Sequence, residues 1–317
     1  MRSEVPLMTT GTPTATLPSP APAPFGPESR LRRVHAWALA SMLVNVGIVV
    51  TGGAVRLTKS GLGCPTWPRC TEESYVTTPD MGVHGVIEFG NRTLTFVVGL
   101  VALAGVVTAW QLRPRRPRVL GLAVAVLVGI GVQGVVGGLT VRMQLHPLVV
   151  GLHFLLSMAL LALTYAFWWR TRPAPAVGGP RLPVLGWALT GVSLLVLAVG
   201  TLVTGSGPHS GDADAARNGL DPETISRIHA AGVYLLVLLS VLLLIALRRR
   251  GAGPAAVRAA ALLLAAEVAQ GVVGFVQYYT GLPELLVAAH LLGACWVWLA
   301  TLHARAHAAV PPTQLAT

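Results

Sequence analysis

Charge is scarce in this chain of 317 residues, where Asp, Glu, Lys and Arg together make up 11% and hydrophobic residues 53%. With a mean hydropathy of +0.66, that balance excludes an ordinary soluble domain and points to a polytopic membrane protein. Acidic residues number 12 against 23 basic ones, and Lys59 is the only lysine. Aromatic residues are also few, at 6%, and no aromatic-rich soluble module accompanies the arginines. The net charge of +11 is therefore assigned to loop asymmetry and anionic lipid, and a nucleic-acid partner is excluded. The first 30 residues lack an apolar core of signal-peptide length, so the first span is expected to be retained.

What the chain has in abundance is apolar runs of about 20 residues, the length a helix needs to cross hydrocarbon. They fall at 34–57, 83–110, 119–140, 147–169, 184–204, 225–247, 259–279 and 285–305. The expected architecture is an all-α integral membrane protein of eight transmembrane helices in two four-helix bundles. Residues 1–33, rich in Pro, Thr and Ala, read as a disordered tail. Residues 34–169 form the N-terminal half, 170–183 a linker, 184–305 the C-terminal half, and 306–317 a second tail.

Orientation follows from the arginines, because cytoplasmic loops accumulate basic residues. Arg30, Arg32 and Arg33, then Arg113, Arg115, Arg116 and Arg118, then Arg170, Arg172 and Arg181, then Arg248, Arg249, Arg250 and Arg258 all fall on one set of connections. Both tails and the linker are thus placed in the cytoplasm. The loops at 58–82, 141–146, 205–224 and 280–284 face outward.

The halves echo each other at a spacing of 137 residues: Gln133-Gly-Val-Val-Gly137 precedes His153 as Gln270-Gly-Val-Val-Gly274 precedes His290. Self-similarity at a fixed period marks a duplicated unit. Four crossings per unit make the repeat parallel, with a pseudo-twofold axis along the membrane normal. His153, His290 and His229 all lie in the outer third of their spans. An imidazole in hydrocarbon needs a partner, and ionisable residues there are usually functional. His229 and His290 belong to different helices of one bundle, the arrangement by which bundle cores hold a cofactor. Bis-imidazole ligation of haem iron satisfies both; helix-to-helix hydrogen bonding is the plainer alternative. Zinc would require three or four close ligands, and no such cluster lies at this level.

Symmetry breaks at the second span, which reads His84-Gly-Val-Ile-Glu88-Phe-Gly-Asn91-Arg92. Asn91 or Arg92 aligns with His229, depending on a one-residue choice of register. The first half therefore has His153 with no histidine opposite. It has instead Glu88 and Arg92, spaced i, i+4 on one helical face, where an ion pair is expected. The first half looks like a reaction site and the second like a permanent cofactor site. Gly134, Gly137, Gly138, Gly271 and Gly274 either let helices approach or clear space for a porphyrin face. Glu267 is expected to pair with Gln270, a proton-path role being the alternative, Cys295 to pack as a small apolar residue, and Trp168, Trp169 and Trp187 to anchor at the interface.

The first outer loop follows Thr51-Gly-Gly-Ala-Val-Arg56 and runs Ser60-Gly-Leu-Gly-Cys64-Pro-Thr-Trp67-Pro-Arg-Cys70. Together with Glu88-x-x-Asn91-Arg92, the repeated Gln-Gly-Val-Val-Gly and the helix histidines, this loop resembles the haem A synthase family over residues 34–305, all eight spans. The resemblance implies a bacterial cell-membrane enzyme that oxidises a ring methyl of haem O to a formyl group, giving haem A for terminal oxidase assembly. It implies haem b held by His229 and His290, His153 on the iron of the substrate haem, Glu88 essential to chemistry with Arg92 beside it, and haem sites toward the extracytoplasmic side. Many family members have Glu-x-x-His-Arg on the second span, so Asn91 stands at a histidine position. Either His153 binds the substrate iron alone or another side chain completes it. His84 is seven residues before Asn91, about 10 Å along the helix, too far to replace it. His146 is expected at the outer surface, and His209 as a solvated loop residue.

Cys64 and Cys70, on the oxidising face, are expected to form a disulfide, either pinning the loop over a bound haem or exchanging with a thiol-disulfide protein. Further expected partners are membrane lipid, haem O synthase and terminal oxidase assembly factors. Two other classes compete. A cytochrome b-like electron-transfer subunit explains His229 and His290 but leaves Glu88, Asn91, Arg92 and the loop without a task; a haem transporter or chaperone explains the incomplete first site.

Overall fold

The structure of the protein is a computed structural model that describes residues 27–172, 182–209, 211–212 and 214–309. Among these residues there are eight α-helices and no strand: α1 (Pro27–Leu57), α2 (Gly82–Trp110), α3 (Pro117–Arg142), α4 (Pro147–Thr171), α5 (Pro183–Ser206), α6 (Pro222–Arg249), α7 (Pro254–Tyr279) and α8 (Glu284–Ala309). Each is long and apolar enough to span a bilayer, so the chain is a multi-pass membrane protein. Proline punctuates the bundle: Pro117, Pro147, Pro183, Pro222 and Pro254 each open a helix. At that position the missing N–H is one the helix could not use, and the fixed φ suits the first turn. At the start of α6 Asp221 adds a cap, accepting from the Thr224 amide at 2.8 Å.

All eight expected spans have a helix. The ends need correction where polar residues extend the helices past the apolar window. α1 begins at Pro27, so residues 27–33, expected in the tail, are helical, with Arg32 set one turn from Glu28. α4 runs to Thr171, into the expected linker, and α8 to Ala309, into the expected second tail. The remainder of both tails and residues 173–181 of the linker lie outside the described residues.

Within the first half α1 packs on α2 and α4, α2 on α3, and α3 on α4; within the second, α5 packs on α6 and α8, α6 on α7, and α7 on α8. The halves meet where α4 touches α5 and α8, and α1 touches α8. That seam is filled by Met158, Leu161, Leu197, Cys295, Trp298 and Leu302, and the Trp298 indole N–H donates to the Met158 carbonyl at 2.8 Å. Between helices already bathed in lipid the hydrophobic effect contributes little, so close packing and such interhelical bonds hold the seam. Cys295 packs there as a buried free thiol. Outward-facing Phe96, Leu100, Val128, Leu195, Leu238 and Val272 are exposed, as side chains facing acyl chains must be.

Candidate functional site

His153, His229 and His290 sit near the same ends of even-numbered helices. His153 is six residues past Pro147, His290 six past Glu284 and His229 seven past Pro222. At 1.5 Å per residue each is about 10 Å inside its helix. The repeated glutamine explains how two of them are set. Gln133 on α3 donates to the backbone carbonyl of His153 at 3.2 Å, and Gln270 on α7 donates to that of His290 at 2.7 Å. Each bond fastens the histidine backbone to the neighbouring helix and leaves the imidazole unengaged.

The rings lie against glycine. A Cβ at Gly137 would come 3.4 Å from His153 Cε1, one at Gly274 3.2 Å from His290 Cε1, and one at Gly200 on α5 3.2 Å from His229 Cε1. Gly134 and Gly271, by contrast, face open space. The Nδ1 atoms of His153, His229 and His290 are all buried with no hydrogen-bond partner, although the Val196 backbone lies near the His229 ring. Buried polar atoms are normally paired. Three buried imidazoles at one level, none held by another side chain among the described residues, form a donor set suited to a metal. His229 and His290 are within electrostatic reach of each other; His153 has no such ionisable neighbour among the described residues.

On α2 the first half differs. A Cβ at Gly52 of α1 would lie 3.9 Å from Asn91 Nδ2, so Asn91 faces α1 much as His229 faces Gly200 of α5. Thr51 Oγ1 donates to Asn91 Oδ1 at 2.8 Å. Arg92 turns instead toward the outer loop. Its Nε donates to Glu88 Oε1 at 3.1 Å, Nη1 to the Thr66 carbonyl at 2.9 Å and Nη2 to the Cys64 carbonyl at 2.9 Å, with a further contact from Nη2 to Glu88 Oε1. Glu88 is buried and its Oε2 accepts the Cys64 amide at 2.6 Å. The expected ion pair is present, and it does something the i, i+4 spacing did not announce: it ties the disulfide loop to α2.

Cys64 and Cys70 form the disulfide and are fully buried. Between them Trp67 lays its indole on Gly138 of α3, where any Cβ would overlap the ring. Arg142, at the end of α3, donates to the Trp67 carbonyl at 3.2 and 3.3 Å. Gly138 thus serves the loop, not a helix contact. In the second half the residue after Gly274 is Phe275, and among the described residues no such loop is seated there. The first loop also bonds to its counterpart, Gly61 N donating to Gly211 O at 3.0 Å, and beside it Arg56 Nη2 at the end of α1 donates to Thr204 O of α5 at 3.1 Å.

Other expectations divide. His146 is exposed at the start of α4, as expected. His84 bonds Ser60 Oγ through Nδ1 at 2.9 Å and so belongs to the loop. His209 is not a solvated loop residue; its Nε2 bonds the Leu282 carbonyl at 2.9 Å, because the α5–α6 and α7–α8 connections meet there. Glu267 pairs across to α6, accepting from Ser240 Oγ at 2.8 Å, since Gln270 is already committed to His290. Trp187 is exposed beneath Arg305, but Trp168 and Trp169 pack inward on a histidine cluster of α8, His303 and His307. Sequence reasoning missed those two histidines; their i, i+4 spacing at a helix end was the available signal.

Fold and site together define a class: an eight-helix membrane protein whose bundle holds histidines at one level, beneath a disulfide-closed loop on one half only. Residues 35–302 match the family described as cytochrome oxidase assembly protein, and the chain belongs to that family. A heme A synthase of Bradyrhizobium sp. (strain BTAi1) is 30% identical over 318 aligned positions, covering 82% of this chain and 87% of its own length. One of Methylobacterium sp. (strain 4-46) is 30% identical over 348 positions, covering 90% and 96%.

Proposed function

We propose that this protein is a haem A synthase: it takes haem O as substrate, oxidises one ring methyl to a formyl group and releases haem A for terminal oxidase assembly. Family membership and relatives of that name along nearly their whole length support the reading. The observation that carries the division of labour is the contrast on one helix pair, with His229 within electrostatic reach of His290 in the second half and Asn91, Glu88 and Arg92 in the equivalent place of the first. The matched helix neighbours of the two halves support a pseudo-twofold repeat.

In this reading His229 and His290 hold a resident haem b, which when bound supplies the iron redox chemistry that the protein's own side chains cannot. The unpartnered ring nitrogens and the glycines beside them fit that role. His153 ligates the substrate iron. Asn91, held by Thr51, leaves the opposite position without an imidazole. Glu88 lies one turn from Asn91 and is the one buried carboxylate of the first half among the described residues. Arg92 and the Cys64 amide hold its carboxyl group in place, suited to stabilise positive charge developing at the ring edge or to accept the proton released there. Trp67 and the disulfide loop cap the half where substrate is oxidised and limit water entry. Tails and linker lie in the cytoplasm of the cell membrane, and both haem sites lie toward the opposite face.

The test is to extract haem from membranes that carry the chain with a haem O source and identify it by mass. Haem A formed only when the chain is present supports the synthase; haem O left unchanged contradicts it and favours an electron-transfer or carrier role.

A further inference from the structure

Opposite the haem ends of the bundle, α4, α7 and α8 enclose a half-open cavity of about 220 Å³ lined by Arg172, Arg258, Ala259, Leu262, His303 and His307. It is several times the ~30 Å³ share of a water molecule, so it admits a polyatomic ligand. His303 lies 13 residues beyond His290 on α8, about 20 Å along the helix, and no part of the catalytic reading uses it.

The ionisable side chains around this cavity are all bases, and two of them, Arg172 and Arg258, are arginines. Arg172 and His307 both act electrostatically on His303, and Arg172 and Arg258 on His307. No carboxylate of the described residues pairs with any of the four. Two guanidinium groups at one cavity repel unless an anion lies between them. Their positions are nonetheless built. Arg172 is stacked over Trp168 and Trp169 at 4.9 and 4.6 Å from their centroids. His303 Nδ1 is taken by the Tyr165 hydroxyl at 3.1 Å, which leaves Nε2 without a bond among the described residues. His303 and His307 stand 4.7 Å apart, centroid to centroid. Arg258 makes no hydrogen bond or ion pair among the described residues and is exposed at the mouth.

We infer that this pocket binds a phosphate-bearing anion, gripped by the guanidinium groups of Arg172 and Arg258 and the ring N–H groups of His303 and His307. Guanidinium forks match phosphate oxygens in geometry and charge, and basic pockets between helices at the cytoplasmic side take lipid headgroups. The lip supplies a place for acyl chains, since Leu262 on α7 is 65% exposed next to Ala259. The phosphate comes from an anionic lipid or from solution, and the two sources are separable.

Native mass spectrometry of the delipidated full-length protein, titrated with phosphatidylglycerol, phosphatidylcholine or inorganic phosphate, tests this. Each arginine near a membrane surface contributes about fivefold in affinity. Arg258→Gln should weaken phosphatidylglycerol binding about fivefold, and Arg172→Gln with Arg258→Gln about 25-fold, while Arg248→Gln, exposed at the same end outside the pocket, leaves it unchanged. Phosphatidylglycerol preferred over phosphatidylcholine with that pattern supports a lipid source. Inorganic phosphate bound with the same pattern, and no lipid preference, supports a solution source. Equal binding by wild type and Arg258→Gln, a change no larger than that of Arg248→Gln, or no binding of any probe overturns the inference. Arg258 is exposed, so its single variant reads out even where the double variant fails to fold.

Discussion

The two halves of this bundle share a backbone plan and one histidine each, yet only the second brings another histidine within electrostatic reach. In the first, the matching helix carries Asn91 bonded to Thr51, and Glu88 and Arg92 bonded to a disulfide loop with no counterpart over α7 among the described residues. The lesson is that Gln133 and Gln270 set the level and backbone of one imidazole in each half in the same way, and the halves differ on the partner helix. In the proposed reading, a half with two ligands would hold its haem, and a half with one ligand and a buried carboxyl group would bind, react and release.

Breaking the second half should have the largest effect. His229→Ala or His290→Ala is expected to remove the resident haem spectrum altogether, whereas His153→Ala keeps it and loses only substrate binding; absorbance of the purified variants distinguishes these. Next in size is the loop tether. Glu88→Ala leaves the Arg92 guanidinium and the Cys64 amide without their acceptor in a site where Glu88 is 5% exposed, a change on the order of 3 kcal/mol for breaking a buried pair. Hydrogen exchange at the Cys64 amide should accelerate while exchange in α5–α8 stays as in wild type. Gly138→Ala is expected to cost about 1–3 kcal/mol through overlap with Trp67, seen as greater access of the Cys64–Cys70 disulfide to reductant. Asn91→His sharpens the comparison from the other side, giving the first half a second imidazole and a bis-histidine spectrum with haem O bound, at the expense of turnover.

The smallest effect concerns the α6 cap. Bonds from the Thr224 hydroxyl and amide hold the Asp221 carboxyl below its usual value. A carboxyl depressed in the folded state stabilises above its unfolded value, about 3.9, and the contribution disappears as pH falls through the lower folded value. The melting difference between wild type and Asp221→Ala should therefore be present at pH 7 and close in acid below about pH 4.

Much of this was legible without coordinates, and for a physical reason: bilayer thickness sets helix length, so eight apolar windows located eight helices. The ends were less legible because Arg30, Arg32 and Arg33 are hydrophilic yet good helix formers, and hydropathy stops where α1 does not. The i, i+4 spacing revealed the Glu88–Arg92 pair, being local. It could not reveal that Arg92 also reaches the Thr66 and Cys64 carbonyls, 26 and 28 residues earlier. For the same reason Gln270 was assigned to nearby Glu267, when both side chains bond to other helices. The α4–α8 cluster of Tyr165, Trp168, Trp169, His303 and His307 joins residues some 138 positions apart, which no periodicity records.

The account turns on the claim that the second half holds a haem while the first performs the oxidation. Glu88→Gln, nearly isosteric, tests it most directly: the haem composition of the purified variant, made in cells with a haem O source, is determined by extraction and mass. The account predicts a full complement of haem b with haem O and no haem A. Haem A at the wild-type level, or loss of haem b with the substitution, would contradict it.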